Sequence, residues 1–398
     1  MKLMPGKSIN EALKELSKFH DSEYLMSCFT RGNEAGFQKA SKVEQISTDD
    51  SAVPAYLYCL DRRTVYWYTD GKSDLVLPKD ASSLFEGLDE LSQIDPTGLD
   101  GSQIKSAARM FFGCTQLENP SIEFLNHESL EDISEMFAEN DALTEFDFSR
   151  LSRCRIRNMN SMFADCHSLK KVSFEGFPME TVEDMGALFW KCRELEDPDT
   201  LHMQTGNVRD MSALFYACFS LTSLDLSHFD TSHVTRMSKM FQYCGQLRSL
   251  NLGCIDTSHV TTMQDMFGFS GLQSLDLSSF DTSEVTDMTG MFARCDRLRD
   301  LNLDSFDTSK VIKMDNMFWG CSNLRELDLS SFNTSQLKEA NAMFDDCKNL
   351  NRLNIEQFDL SPIEHADYMF TGVPRSVYPS WFKKLKKKCG RVIAKKRR

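Results

Sequence analysis

Cysteine is the residue whose type and spacing come nearest to chemistry in this chain. Eight of the thirteen cysteines stand three residues after a phenylalanine: Cys114, Cys166, Cys192, Cys218, Cys244, Cys295, Cys321 and Cys347. Thiols at one place in stacked turns roughly 5 Å apart would suit a disulfide ladder or a file of metal ligands. Against both, side chains in one column of a stack point the same way, and free cysteine is among the most buried residue types. The turns of Phe137 and Phe267 also lack the thiol. The pattern therefore predicts a reduced, buried column. The other thiols, including Cys28, Cys59 and Cys389, show no CxxC spacing and no zinc pattern. No metal or other cofactor is expected.

Carboxylates recur in two columns. Asp225, Asn251, Asp276, Asn302, Asp328 and Asn354 lie between inward leucines and so point out from a strand face. Alternating Asp with Asn sets the charges about 10 Å apart rather than about 5 Å, which lowers their repulsion. Flanked by Ser223, Ser249, Ser274, Ser227, Ser278 and Ser330, this strip is the candidate binding face, suited to a polar or basic protein partner. The plain alternative is a solvated sheet face. Asp230, Asp256, Asp281, Asp307 and Asp359, with Asn333 in the remaining place, make the second column. Calcium solenoids use glycine-rich turns, whereas here Thr-Ser follows Asp230, Asp256, Asp281 and Asp307, so helix N-capping is the expected role. The eight histidines are scattered, and there is no GxSxG, HExxH, P-loop or GxGxxG. Catalytic residues and a small-molecule substrate are not expected.

The last candidate is a charge run. From Lys383 to Arg398 there are ten Lys or Arg and no acid, while the preceding 382 residues hold 35 basic side chains against 59 acidic ones. Lys383, Lys384, Lys386, Lys387, Lys388 and Arg391, with Trp381, Phe382 and Leu385 among them, would meet an anionic membrane or another anionic partner. The bland alternative is an aromatic cap followed by a solvated basic end. A net charge of −14 makes nucleic acid an improbable partner for the body.

What positions these residues is a repeat. Phenylalanine recurs at 85, 111, 137, 163, 189, 215, 241, 267, 292, 318, 344 and 370, every step being 26 residues except 267 to 292, which is 25. In one copy, Leu221-x-x-Leu224-x-Leu226 has the leucine-rich-repeat strand pattern, Asp230-Thr231-Ser232 a corner, and Val234, Met237, Met240 and Phe241 the inward stripe of a short helix. The Val234 column, from Ile104 to Ile363, is never polar and must be interior. Pro120 and Pro198 replace strand leucines, predicting irregular turns. Ser8-Ile9-Asn10-Glu11 reads as a capping box opening a helix. Ala55–Leu60 and Thr64–Thr69 read as a hairpin, and Arg31–Asp50 as loop. The expected fold is α/β: a leucine-rich-repeat solenoid of about twelve 26-residue strand-turn-helix repeats. A small α+β cap spans 1–77, the solenoid 78–373, and a C-terminal cap with basic tail 374–398.

The segment Leu224-Asp225-Leu226-Ser227-His228-Phe229-Asp230-Thr231-Ser232-His233-Val234-Thr235-Arg236-Met237 resembles the BspA-like leucine-rich-repeat surface proteins of bacteria. Their repeats read FDTSxVTxMxxMFxxCxxLxxLDLS, and Phe280-Asp281-Thr282-Ser283-Glu284-Val285-Thr286-Asp287-Met288 matches almost letter for letter, as does Phe306-Asp307-Thr308-Ser309. The resemblance covers about residues 85–370. It implies a non-enzymatic surface protein that binds host or cell-surface proteins and is secreted or held at the cell surface. The N-terminal residues show no export signal, and no wall-anchoring motif is visible. The alternative expectation is therefore a cytoplasmic scaffold or effector held at a membrane surface by its basic tail.

Overall fold

A repeat unit this short cannot bury its own apolar side, so its stability comes from the next unit laid on top. The computed structural model describes residues 1–20, 23–61, 63–253, 255–389 and 391–392, and shows that stacking in two units, Met1–His202 and Met203–Arg398.

In the first unit, helix α1 (Gly6–Ser17) buries Ile9, Leu13 and Leu16. It begins at Pro5, and no side chain caps it, so Ser8 lies within the helix and the expected capping box does not form. Arg31–Asp50 is not a loop: it holds helix α2 (Glu34–Lys39) and the strand Lys42–Gln45. That strand joins a five-stranded sheet whose order is 42–45, 56–59, 64–68, 28–31, 93–94. Tyr56–Cys59 and Thr64–Tyr68 pair antiparallel as the sequence predicts, but Cys28–Arg31 pairs parallel with Gln93–Ile94 of the first turn. The cap thereby covers the open edge of the stack.

Above it, Phe85, Phe111, Phe137, Phe163 and Phe189 form one file of near-parallel rings, centroids 5.3–6.2 Å apart. Glu145–Asp147 and Lys171–Ser173 pair in parallel, Phe146 opposite Val172. Neither Pro120 nor Pro198 lies in a strand, as a missing ladder donor requires.

The second unit is more regular. Parallel pairs join 223–225 with 249–251, 274–275 with 300–301, and 326–328 with 352–354. The ring file runs from Phe215 through Phe241, Phe267, Phe292 and Phe318 to Phe344 at 5.7–6.0 Å, with Phe370 next at 5.7 Å. All these rings are fully buried. The 25-residue turn closes without leaving the file.

One expectation fails. The stretch from Val234 to Phe241 and its equivalents contain no helix; among the described residues, the solenoid turns hold only short strands, β-turns and 3₁₀ turns. Spacing is the reason: rings 5.7–6.0 Å apart leave no room between rungs for a helix of about 10 Å diameter. The backbone instead makes successive tight turns and divides its donors. Gln242 and Cys244 bond back to Lys239 and Phe241 in the same rung, whereas Lys239, Phe241 and Tyr243 donate to Gln264, Met266 and Gly268 of the next. Lys239 and Tyr243 take φ of 62° and 64° to allow this. A strand–turn architecture thus replaces the expected α/β one, with α-helix confined to the cap regions.

Candidate functional site

Hydrogen-bonding the strand face across rungs leaves its alternate side chains outside. Asp225, Asn251, Asp276, Asn302 and Asp328 are exposed and Asn354 is half-buried. Five of them turn their side chains back on their own strand ends: Asp225, Asn251, Asp276, Asn302 and Asp328 accept from the backbone N–H two residues on, at 2.9–3.1 Å. Two cross-rung bonds join the column in pairs, Asn251 Nδ2 to Asp225 at 3.1 Å and Asn354 Nδ2 to Asp328 at 2.9 Å. Hydrogen bonds from the serine two residues on hold the carboxyls of Asp225, Asp276 and Asp328 below the usual range. The carboxylates of the strip are therefore ionised, and hydrogen bonds hold them in place.

The corner residues are structural. Asp230, Asp256, Asp281, Asp307, Asn333 and Asp359 each accept from the serine N–H two residues on at 2.8–3.1 Å. They close an Asx turn rather than cap a helix. In all of these corners but that of Asp359, where Leu360 stands, the residue between is a buried threonine whose hydroxyl reaches the next rung: Thr231 donates to the Asp256 carbonyl at 2.8 Å, Thr282 to Asp307 at 2.9 Å, Thr308 to Asn333 at 3.0 Å.

The cysteine column also points along the stack. Cys244 donates to the Phe215 carbonyl at 3.0 Å, Cys321 to Phe292 and Cys347 to Phe318 at 3.1 Å, and Cys166 to Phe137 at 2.9 Å. The twelve described cysteines are free thiols, Cys254 lying outside the described residues. Burial pushes Cys114, Cys244 and Cys347 up to about 12. Asn140 occupies the same column in the Phe137 turn, fully buried and with neither amide atom hydrogen-bonded.

At the C-terminal end, helix α3 (Phe382–Cys389) buries Leu385 and lays Phe382 against Phe370 and Tyr378, centroids 5.6 and 4.3 Å away. Its apolar side closes the stack. Lys383, Lys384, Lys386, Lys387, Lys388 and Arg391 are exposed, and Lys388 also donates to the carbonyls of Leu360 and Ser361 at 2.7 and 2.8 Å. Residues 393–398 lie outside the described residues.

Sequence reasoning missed a concavity on the turn side. In the second unit, a groove of about 340 Å³ is lined by Asp265, Phe269, Thr289, Gly290, Ala293, Asn316, Trp319 and Asp345. Phe269 and Trp319 meet edge to face at 6.0 Å, and Tyr243 stacks on Phe269 at 4.6 Å. Gly290 keeps the floor open: its φ is 63°, and a Cβ there would collide with the Asp265 carboxylate. The sequence signal was available, since these aromatics fill columns that hold Ala or Gly in other turns; a helix assignment hides it by placing those columns on a solvent face.

Stacked parallel strands, inter-rung turn ladders and files of Phe, Thr and Cys define a repeat solenoid whose regular features are mostly structural. Within that class, the chain belongs to the family described as "Mycoplasma protein of unknown function, DUF285", which matches residues 79–198, 158–272, 192–300 and 268–377. No curated protein matches it significantly in sequence. Among solved structures, it is similar at 13% identity to the pneumococcal vaccine antigen PcpA, covering 96% of this chain and 91% of that one with a TM-score of 0.38. It is also similar at 13% identity to the functional domain of InlJ from Listeria monocytogenes, described as including a cysteine ladder, covering 67% and 63% with a TM-score of 0.20.

Proposed function

We propose that this chain is a non-enzymatic binding protein that uses the strand face of its leucine-rich-repeat-type solenoid to hold a protein partner at a cell surface. The observation that carries the reading is the division of labour between columns. Phe, Cys and Thr are buried and committed to the stack, while Asp225, Asn251, Asp276, Asn302 and Asp328 repeat on the exposed face. Rigid polar groups repeating every ~5 Å along a stack suit an extended protein contact better than an enclosed reaction. The BspA-like form of the repeat supports the surface role. The test is saturable binding of the full chain to immobilised extracellular host proteins, compared with the triple variant Asp276→Lys, Asn302→Lys, Asp328→Lys. Undiminished binding by the variant would remove this face from the proposal, and no saturable binding by the wild type would remove the function.

A second reading is favoured by the exposed lysines of α3, which would hold the chain at an anionic membrane. With Leu385 buried against the stack, such an attachment is purely electrostatic. Neutralising Lys383, Lys384 and Lys387 to Gln should then abolish sedimentation with phosphatidylserine vesicles at low salt; unchanged sedimentation would end that reading.

A further inference from the structure

We propose that the turn-side groove of the second unit is a binding site for an extended basic peptide segment of a protein partner, with one cationic side chain at Asp265 and another at Asp345. The first unit shows what these columns do when filled. There Arg109 lies over the Phe112 ring, 3.7 Å from its centroid, and pairs with Glu86 at 2.6 Å and with Glu135. Glu86 and Phe112 stand in the column that in the second unit holds Trp319 and Asp345, and Glu135 in the column that holds Asp265. The second unit carries carboxylates and an aromatic ring in the same two columns but in other rungs: Asp265 stands one rung before Gly290, Trp319 one rung and Asp345 two rungs after it, and Gly290 itself stands in the arginine's column.

Neither Asp265 nor Asp345 has an ion-pair partner among the described residues. Both are half-buried, and burial raises both, Asp345 to about 6 with the neighbouring Asp346 adding to the effect. Lys239 acts on Asp265 and Lys348 on Asp345 from beyond ion-pair distance and offset the burial only in part, and carboxylates so desolvated are the complement of a cation. Trp319 already accepts one: the exposed Arg294 guanidinium lies 5.6 Å from its centroid, at the rim of the groove. Asp265 and Asp345 are three rungs apart, about 15 Å at strand spacing, which an extended chain covers in about four to five residues. The occupant is therefore a segment with Arg or Lys at that interval, its aliphatic stems lying on Phe269 and Trp319. This site is independent of the strand face.

The experiment is calorimetric titration of the full chain with the blocked peptide Gly-Arg-Gly-Ser-Gly-Arg-Gly at moderate salt, where long-range attraction is screened. One-to-one binding is expected. The pair Asp265→Asn with Asp345→Asn should lower affinity at least tenfold, and Trp319→Leu severalfold. The strand-face variant Asp225→Asn, Asp276→Asn, Asp328→Asn, which removes three charges rather than two, should change it less than twofold. Thermal melts of each variant separate loss of binding from loss of fold. Equal weakening in the two Asp-to-Asn sets would reduce the effect to net charge and overturn the site, as would the absence of saturable binding. Binding that appears only after residues 393–398 are removed would overturn it in favour of the chain's own basic residues as the occupant.

Discussion

The buried threonine file allows a prediction that inverts the usual ranking of core substitutions. Thr257 is 1% exposed, and its hydroxyl both donates to the Asp281 carbonyl at 2.7 Å and accepts from the Asp281 N–H at 2.9 Å. Valine has the same shape but leaves both backbone groups without a partner. At about 1–3 kcal/mol per orphaned group, and with the exposed Asp281 side chain admitting some water, Thr257→Val should cost about 2–4 kcal/mol. Among the described residues Thr282 bonds the Asp307 carbonyl alone, at 2.9 Å, so Thr282→Val should cost about 1–2 kcal/mol. Thr257→Ser keeps the hydroxyl and loses one buried methyl, about 1 kcal/mol. The serine variant should therefore be more stable than the isosteric valine. Urea unfolding followed by far-ultraviolet circular dichroism gives the ranking, and amide exchange at Asp281 localises it. A valine variant within 0.5 kcal/mol of wild type, an order-of-magnitude threshold for surface-like substitutions, or a serine variant less stable than the valine one, would refute the assignment of the file to inter-rung bonding.

Three further outcomes follow from other columns. Asn140→Cys should stabilise the first unit by about 1–3 kcal/mol, because it replaces an unsatisfied buried amide with the residue its column prefers; a lower melting temperature would contradict this. Phe292→Ala should cost about 3–5 kcal/mol, while Phe219→Ala at a 43% exposed ring should stay within about 0.5 kcal/mol, both read from denaturant midpoints. Asp345 holds its proton more tightly folded than unfolded, rising from 3.8 to about 6, so folding binds protons between those values and stability falls as pH rises through them. Asp345→Asn should consequently melt above wild type at pH 7.5, with the gap closing by pH 4.

Much of the interior was legible because one column of the repeat is one place in the fold. The Val234 column, which the sequence shows never to be polar, is buried in every described turn from Ile104 to Ile363. The eight thiols that follow the phenylalanine file, from Cys114 to Cys347, are likewise buried. What stayed hidden depends on the distance between turns. A Val-x-x-Met-x-x-Met-Phe stripe fits one side of a helix or a run of tight turns equally well, and only the rung separation rules out the helix. The same error reassigns Asp230 and its equivalents from helix caps to Asx turns. It also conceals the groove at Phe269 and Trp319. Strand Lys42–Gln45 was unreadable for another reason: its residues alternate only between exposed and half-buried, and its place is fixed by pairing with Tyr56–Cys59 rather than by its own pattern. The outward column from Asp225 to Asn354 was placed correctly, but its cross-rung amide bonds were not foreseen.

The inter-rung bonds also decide how such a chain would answer tension. Within each unit every turn is hydrogen-bonded to its neighbours, as where the N–H groups of Phe215, Phe241 and Phe267 reach carbonyls of the following turn and those of Thr235, Arg248 and Thr261 reach the preceding one. A pull along the stack is borne by every interface in series, but the outermost turn is held by one neighbour rather than two and parts first. Each parting releases one 26-residue turn, roughly 90 Å of extended chain. A terminal turn is thus a fuse in series with the rest: it lengthens the tether and dissipates work while the turns beneath keep their surfaces intact.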